Sequence, residues 1–384
     1  MTDCTPGVRA AIESAIATKA THFVFSPGEY HFWPNLAFEQ YLFVSNHDSG
    51  LRRIALPVFD AENLIIDGQG ARLIFHGCIT PFVLRNCRNV TITQFEIDWV
   101  RTFHGEALVL STGDGYADME ISEQFPFRVE HNALLFLDED DKPLRTGYTL
   151  EFDRNLRQPA FRVSDNFHLR SEAHATQIGP RIVRVRANYT TNPTPGNIMV
   201  FQNEERNCAA ITIGDSRDIQ VSHVTVRHAN GMAVIAQRTQ DIRVSHLTVT
   251  PREGRIISAG GDATHFVNCR GLVEIDNCLA ENQMDDFTNV HGIYGRISRR
   301  ISDYEIEFEV VHNQQLGIDV TDAGDTVEFV RASDLTRSHE GLVSNVNRLN
   351  KTFTRLAFTD RIPDKIKPGD AIQSLGWQPD LTIH

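Results

Sequence analysis

Three aspartates, Asp262, Asp285 and Asp286, lie in the stretch 258–292, which holds two near-copies of one unit. Aligning Val267 on Val290 sets Asp262 over Asp285 and Asn268 over His291, a repeat of 23 residues. Acidic residues that recur with a backbone repeat stack on one side of whatever the repeat builds. Glycosidic cleavage needs one carboxylic acid to protonate the leaving oxygen and one carboxylate to activate water or attack carbon. Stacked carboxylates repel, which favours keeping one of them protonated. The trio is therefore expected to form the floor of a glycan-cleaving site. Asp285 and Asp286 are neighbours and would point to opposite faces of a flat strand, so a bend must bring both to one cleft. The competing reading is an aspartate ladder that caps backbone groups at a turn.

Other polar residues fit the same chemistry. If Thr288 and Val290 face inward, Asn289 and His291 share the outer face and can bind sugar hydroxyls. Toward the N-terminus, His47, Asp48, Arg52 and His76 are polar groups set among apolar text, and Trp99 beside Asp98 is the best candidate for a sugar-stacking ring. No set of His, Asp and Cys has zinc spacing, and Asp67-Gly-Gln-Gly70 has no lysine after it to cradle phosphate. No Gly-x-Ser-x-Gly occurs, so esterase chemistry lacks support. Neither metal nor cofactor is expected.

The elements that must position these residues read as a repeat. Residues 218–226 (DIQVSHVTV) return 23 positions later as 241–249 (DIRVSHLTV), and Gly271 opens a further copy 30 residues on, after a longer loop over about 251–261. Earlier runs at Leu64-Ile-Ile66 and Val90-Thr-Ile92 obey the same grammar. Short β-branched runs at this period, punctuated by Asn, Asp and Gly, predict a right-handed parallel β-helix, an all-β fold. The leucine-rich repeat has a similar period, but its leucine spacing is missing. A short amphipathic helix at 6–19, with Val8, Ile12 and Ile16 on one face, would plug the open end.

Two aromatic or alternating stretches interrupt the repeat and read as inserted small β-barrel domains. The expected division is 1–112 for the cap and first coils, 113–202 for the first insertion, 203–295 for the central coils with the aspartates, 296–353 for the second insertion and 354–384 for the start of further coils, apparently cut short. Leu381 and Ile383 repeat the pattern of Ile219 and Val221.

The chain has 384 residues and a formal net charge of −13, which argues against a nucleic-acid partner. No run of 18 apolar residues exists, so no membrane span is expected. No secretion signal is visible, and an extracellular or periplasmic location would require one to have been trimmed. The six cysteines include the pairs Cys78/Cys87 and Cys269/Cys278, each nine apart. They read as small buried hydrophobes, with a disulfide as the lesser alternative. Domains projecting from a rod make a homo-oligomer plausible.

Several segments together, Phe25-Ser-Pro-Gly-Glu-Tyr-His-Phe-Trp33, Ser45-Asn-His-Asp48, Phe75-His-Gly77 with Pro81-Phe82, Gly261-Asp-Ala-Thr-His-Phe266 and Met284-Asp-Asp-x-Thr-Asn-Val-His-Gly292, resemble glycoside hydrolase family 110. These are exo-acting α-1,3-galactosidases, some of which remove the terminal galactose of the blood-group B antigen. The resemblance runs from near Pro6 to the C-terminus. It implies a parallel β-helix with barrel insertions, an inverting mechanism without cofactor and a carbohydrate substrate ending in α-galactose. Asp262 then resembles the general acid, and Asp285 and Asp286 the pair that holds and deprotonates water. Family members usually run further, with more coils. Two alternatives stand beside this reading, a polygalacturonase-like endo-glycosidase and a non-catalytic β-helical carbohydrate-binding protein. Polygalacturonases need basic residues for uronate, and no Arg-x-Lys follows His291-Gly292 closely.

Overall fold

The computed structural model describes residues 1–47, 50–163, 173–189 and 191–384. Two parallel sheets dominate. The long sheet pairs Glu62–Phe75, Arg88–Trp99, Arg217–Val226, Gln240–Ser245, Arg270–Asp276 and Pro379–Ile383 in that order. The short sheet runs Gly50–Phe59, Thr80–Arg85, Ile211–Gly214, Val234–Gln237, Thr264–Val267 and Thr288–His291. The chain alternates between them, adding one strand to each per circuit, which is the winding that a β-helix requires. Their inward side chains, from Leu64 and Val90 to Phe266 and Ile275, form one continuous core. The helix Thr5–Ala17 turns Ile12 into that core, with Val8 and Ile16 packed against it.

The corners explain the Asn and Asp punctuation. Asn63, Asn89, Asp218 and Asp241 stack at the entrance to the long sheet, all with positive φ. Asp60, Asn86, Asp215, Arg238 and Asn268 do the same after the short sheet. A left-handed residue is costly for most L-amino acids and least so for Asn, Asp and Gly. Gly271 takes the next place in the first column with φ +65, where a Cβ would collide with the Asp241 carboxylate. Just past the second column, Cys87, Ser216, Thr239 and Cys269 each donate to the carbonyl two residues back. Side chains thus satisfy backbone groups at four successive corners of this column.

In the long sheet Ile219 pairs Ile242 at the expected spacing of 23, Ile242 pairs Val273 and Val273 pairs Leu381. The next copy keeps the expected spacing of 30 at Gln240 and Arg270, and a bulge makes it 31 from Ile242 onward. The short sheet differs by one residue. Phe266 pairs Val290, and Val267 pairs His291, so the spacing there is 24 rather than the 23 that aligning the two valines suggests. Phe266 points into the helical core while Val267 points outward against the second insertion. A valine-to-valine alignment therefore matches opposite faces. It follows that Asp262 lies beside Asp286, with Ala263 N donating to Asp286 O at 3.0 Å.

The first insertion is a seven-stranded antiparallel sheet with strands between His104 and Asn203, together with the hairpin Phe127–Glu130 and Ala133–Phe136. Among the described residues this sheet does not close on itself. The second insertion does close, as a six-stranded barrel of strands between Gly295 and Ser374. No helix among the described residues is long and apolar enough to cross a membrane.

Candidate active site

Each circuit passes from the long sheet to the short one through a turn, and these turns stack along one edge of the molecule. The turn at 250–263 is anchored from beneath. Buried Arg255 meets the Asp98 carboxylate at 2.9 Å and donates to the carbonyls of Trp99 and Val100. Glu106 of the first insertion accepts from the backbone N–H of Ile256 (2.8 Å) and Ile257 (3.3 Å). Gln202 donates to Gly260 O, and His228 bridges Ser258 O and Phe103 N. Buried charge held in this way is costly to disturb, so the turn is stiff. It delivers Asp262 to the head of the strand Thr264–Val267.

Asp285 and Asp286 come from the next turn, and one carboxylate oxygen from each of the three aspartates lies within 4.8 Å of the other two. The bend that both neighbours require is present. Among the described residues this is the one group of His, Cys, Asp and Glu side chains close enough together to hold a metal ion. Their surroundings differ. Asp262 is buried and meets His265 Nδ1 at 2.5 Å. Asp285 is exposed and accepts from Arg206 at 2.8 Å. Asp286 is exposed, and among the described residues no side chain hydrogen-bonds its carboxylate.

His265 continues to His291 through an Nε2–Nε2 contact of 2.9 Å, and His291 Nδ1 lies 2.9 Å from Gly292 O. A carbonyl only accepts, so His291 carries its proton on Nδ1. Burial pushes the His291 pKa below the ordinary histidine value, leaving its Nε2 bare. The proton between the two rings then belongs to His265 Nε2. Asn46 Nδ2 meets that nitrogen at 2.8 Å, so this tautomer requires the Asn46 amide turned to present its oxygen to the N–H. With His265 Nε2 protonated, the short contact between Nδ1 and Asp262 holds one shared proton, on the imidazole or on the carboxyl. A buried carboxyl with access to a proton is what a general acid requires.

The remaining expected residues divide into three groups. Asn289 pairs His265 in register and His291 pairs Val267, so both share the outer face of the short sheet with the site. His47 is buried beneath it, donating from Nδ1 to Ser45 O at 3.1 Å, and a Cβ on Gly231 would strike its Nε2. Burial drives its pKa down to about 3, so it is a neutral wedge rather than a titrating group. Arg52 is buried near enough for its charge to bear on His47. Asp48 falls outside the described residues.

Two expectations are corrected. Trp99 has no solvent-facing surface; it packs between Phe75 and Phe103 and donates to Gly77 O, so it serves the core and gives a sugar no platform. Its neighbour Asp98 turns out to anchor Arg255. His76 belongs to a separate cluster, stacked on Trp33 at 3.8 Å and bonded to His31 and Glu139, without contact to the three carboxylates. Three participants were not singled out. His265 was visible three residues after Asp262 inside a quoted motif, and Asn46 lay within another. Arg206 gives no signal, because 79 residues separate it from Asp285.

A cavity of about 690 Å³ opens beside Asp285, between the first insertion and this turn. Phe152, Arg157, Gln158, Asn282 and Gln283 are among its lining residues. Mixed apolar and amide-bearing walls of this kind suit a polar ligand with ring faces.

Comparison with known proteins finds matches to both insertions and relatives along most of the chain. GLAA-B beta-barrel domain I matches residues 105–199, and GLAA-B beta-barrel domain II matches residues 305–372. "Alpha-1,3-galactosidase A" of Shewanella woodyi is 33% identical over 98% of this chain and 63% of its own length. "Alpha-1,3-galactosidase B" of Bacteroides thetaiotaomicron is 27% identical over 99% and 63% respectively. "Alpha-1,3-galactosidase B" of Akkermansia muciniphila is 26% identical over 99% and 48%. The chain thus spans less than two thirds of the length of these relatives. Among solved structures, the tailspike protein gp49 of Pseudomonas phage LKA1 aligns over 73% of this chain and 41% of its own, at 11% identity and a TM-score of 0.21, too slight a likeness to carry weight.

Proposed function

We propose that this chain hydrolyses terminal, non-reducing α-1,3-linked galactose from glycans, working from the flank of a right-handed parallel β-helix. The observation that carries the reading is the convergence of the Asp262, Asp285 and Asp286 carboxylates within 4.8 Å, each in a different environment. Similarity to proteins named α-1,3-galactosidase over nearly the whole chain supports an assignment at the level of that family, and the sugar and linkage proposed here follow those names.

Asp262 donates its proton to the glycosidic oxygen as the C1–O bond breaks, and His265 restores it from the shared hydrogen bond. Asp285, held in place by Arg206, stabilises positive charge growing at the anomeric centre. Asp286, whose carboxylate no side chain hydrogen-bonds among the described residues, orients water and takes its proton as the water attacks the opposite face of C1. Asn289 and His291 line the outer face where galactose hydroxyls would sit. The cavity beside Asp285 has room for the remainder of the glycan.

One measurement favours a second reading. Acid and base in inverting glycosidases are typically about 6.5–9.5 Å apart, against about 5–5.5 Å in retaining ones. Carboxylate oxygens within 4.8 Å lie nearer the retaining range, with Asp285 or Asp286 attacking C1 directly. Digestion of a panel of linkage-defined α-galactosides, followed by NMR of the first anomer released, separates these readings. β-Galactose supports inversion and α-galactose supports retention. Release from none of the panel overturns the galactosidase reading.

A further inference from the structure

All six cysteines are free thiols, and two of them meet. Cys78 lies on the first stacked turn and is exposed; Cys208 lies on the next, where the chain returns from the first insertion, and is buried. Their sulfurs are 3.0 Å apart. The strands that follow, Thr80–Arg85 and Ile211–Gly214, are paired neighbours in the short sheet. Adjacent strands lie about 4.8 Å apart, inside the span of about 4.4–6.8 Å that a disulfide bridges between Cα atoms. Closing the bond to about 2.05 Å asks each sulfur to move by roughly half an ångström. The other cysteines differ: Cys87, Cys269 and Cys278 each donate to backbone carbonyls, and Cys87 and Cys269 are buried.

We propose that Cys78 and Cys208 are an oxidation site, closed by hydrogen peroxide into a disulfide that staples the first turn to the return from the first insertion. The Cys78 sulfur attacks one peroxide oxygen, the O–O bond breaks, and the leaving hydroxide takes up a proton to give water and a Cys78 sulfenic acid. The Cys208 sulfur then attacks the sulfenic sulfur, the S–O bond breaks, and its thiol proton leaves with the hydroxide as a second water. The two thiols lose two electrons and the peroxide gains them. The division of roles follows the surroundings. Cys78 is the exposed residue of the two, and the Cys208 thiol donating to its sulfur draws its pKa down, with Arg52 adding to the effect. Burial pushes Cys208 up, so it waits as a protonated resolving thiol. Cys208 also stands two residues after Arg206, which reaches Asp285. The staple would therefore restrain the segment that places this guanidinium, and it would close a loop that contains the whole first insertion.

The test exposes the full chain to graded hydrogen peroxide, blocks remaining thiols with iodoacetamide, and maps it by non-reducing digestion and mass spectrometry. The expected product is a Cys78–Cys208 linked peptide, two hydrogens lighter than its reduced parts, with the other four cysteines alkylated. In Cys208→Ser, Cys78 should stall as a sulfenic acid that dimedone captures; in Cys78→Ser, Cys208 should stay reduced. Oxidised wild-type protein should melt several degrees above the reduced form, a difference absent in Cys78→Ser. Cys78 passing to sulfinic acid while Cys208 remains alkylatable, or a linked peptide without a change in melting, would overturn the proposal. None of these readouts depends on glycosidase activity.

Discussion

The two insertions are both antiparallel β structures, yet they meet the parallel stack in different ways. The first one reaches the stacked turns with polar side chains: Glu106 to Ile256 and Ile257, Gln202 to Gly260, Arg157 to Arg255 O, and Tyr148 to Met284 O. The second builds its own closed apolar core, extended onto the stack by Val267 and Ile293, and is tied at the opposite corner by Arg238 to Asp322 and by Asn268 to the carbonyls of Asp319 and Val320. Its link to the site is Gln314 O, which accepts from Asn46 N. The first insertion thus shapes the place where chemistry is expected, while the second mainly secures the stack.

That contrast can be broken in graded steps. Asp262→Asn should lower turnover by about 10²- to 10⁴-fold while galactoside binding, followed by calorimetry, persists. An unchanged rate would remove the proposed acid. Arg255→Met leaves the buried Asp98 carboxylate with Arg252 at 3.1 Å as its remaining cation, so the loss should stay below the roughly 3–5 kcal/mol of a fully broken buried pair. Both the denaturation midpoint and kcat/KM should fall, because the turn carrying Asp262 loses its anchor. Arg238→Met should also lower the midpoint but leave kcat/KM within about twofold, since that corner faces away from the trio. A large loss of turnover there would erase the distinction between the two insertions.

The smallest effect is on pH. His47 ordinarily titrates near 6.5 but near 3 when folded, and burial also holds His228 well below its usual range. Below 6.5 the unfolded imidazoles take up protons that the folded sites refuse. Their contribution is therefore complete above that pH and is lost as pH falls, by about 1.4 kcal/mol per unit for each. For His47 this continues down to about 3. His47→Asn should flatten the fall of melting temperature with acidification.

The parallel stack was legible because its determinants are local. Left-handed corners select Asn, Asp and Gly, and inward positions select Val, Ile and Leu at a fixed period. Even the strand Pro379–Ile383 could be placed by Leu381 and Ile383. The aspartate trio was legible as a cluster for the same reason. Its register slipped by a residue because outward Val267 is as apolar as inward Phe266, and hydropathy alone does not tell a core from an interface with an insertion. Trp99 was misread because a tryptophan among polar neighbours suits a sugar platform and a core equally well until its contacts are known. Arg206 was invisible because 79 residues separate it from Asp285 and no repeat relates the two.

The left-handed corners bear on how such a molecule can change. Because two columns of them clamp the short sheet and the entrance to the long one in every circuit, the turn between the sheets is free to lengthen. The stretch over 250–263 is longer than its counterpart at 227–233, yet Thr264 and Arg270 still find their places beside Val234 and Gln240. The surroundings of the three aspartates can therefore be rewritten by insertion and deletion in these turns while Thr264–Val267 keeps its place beside Val234–Gln237.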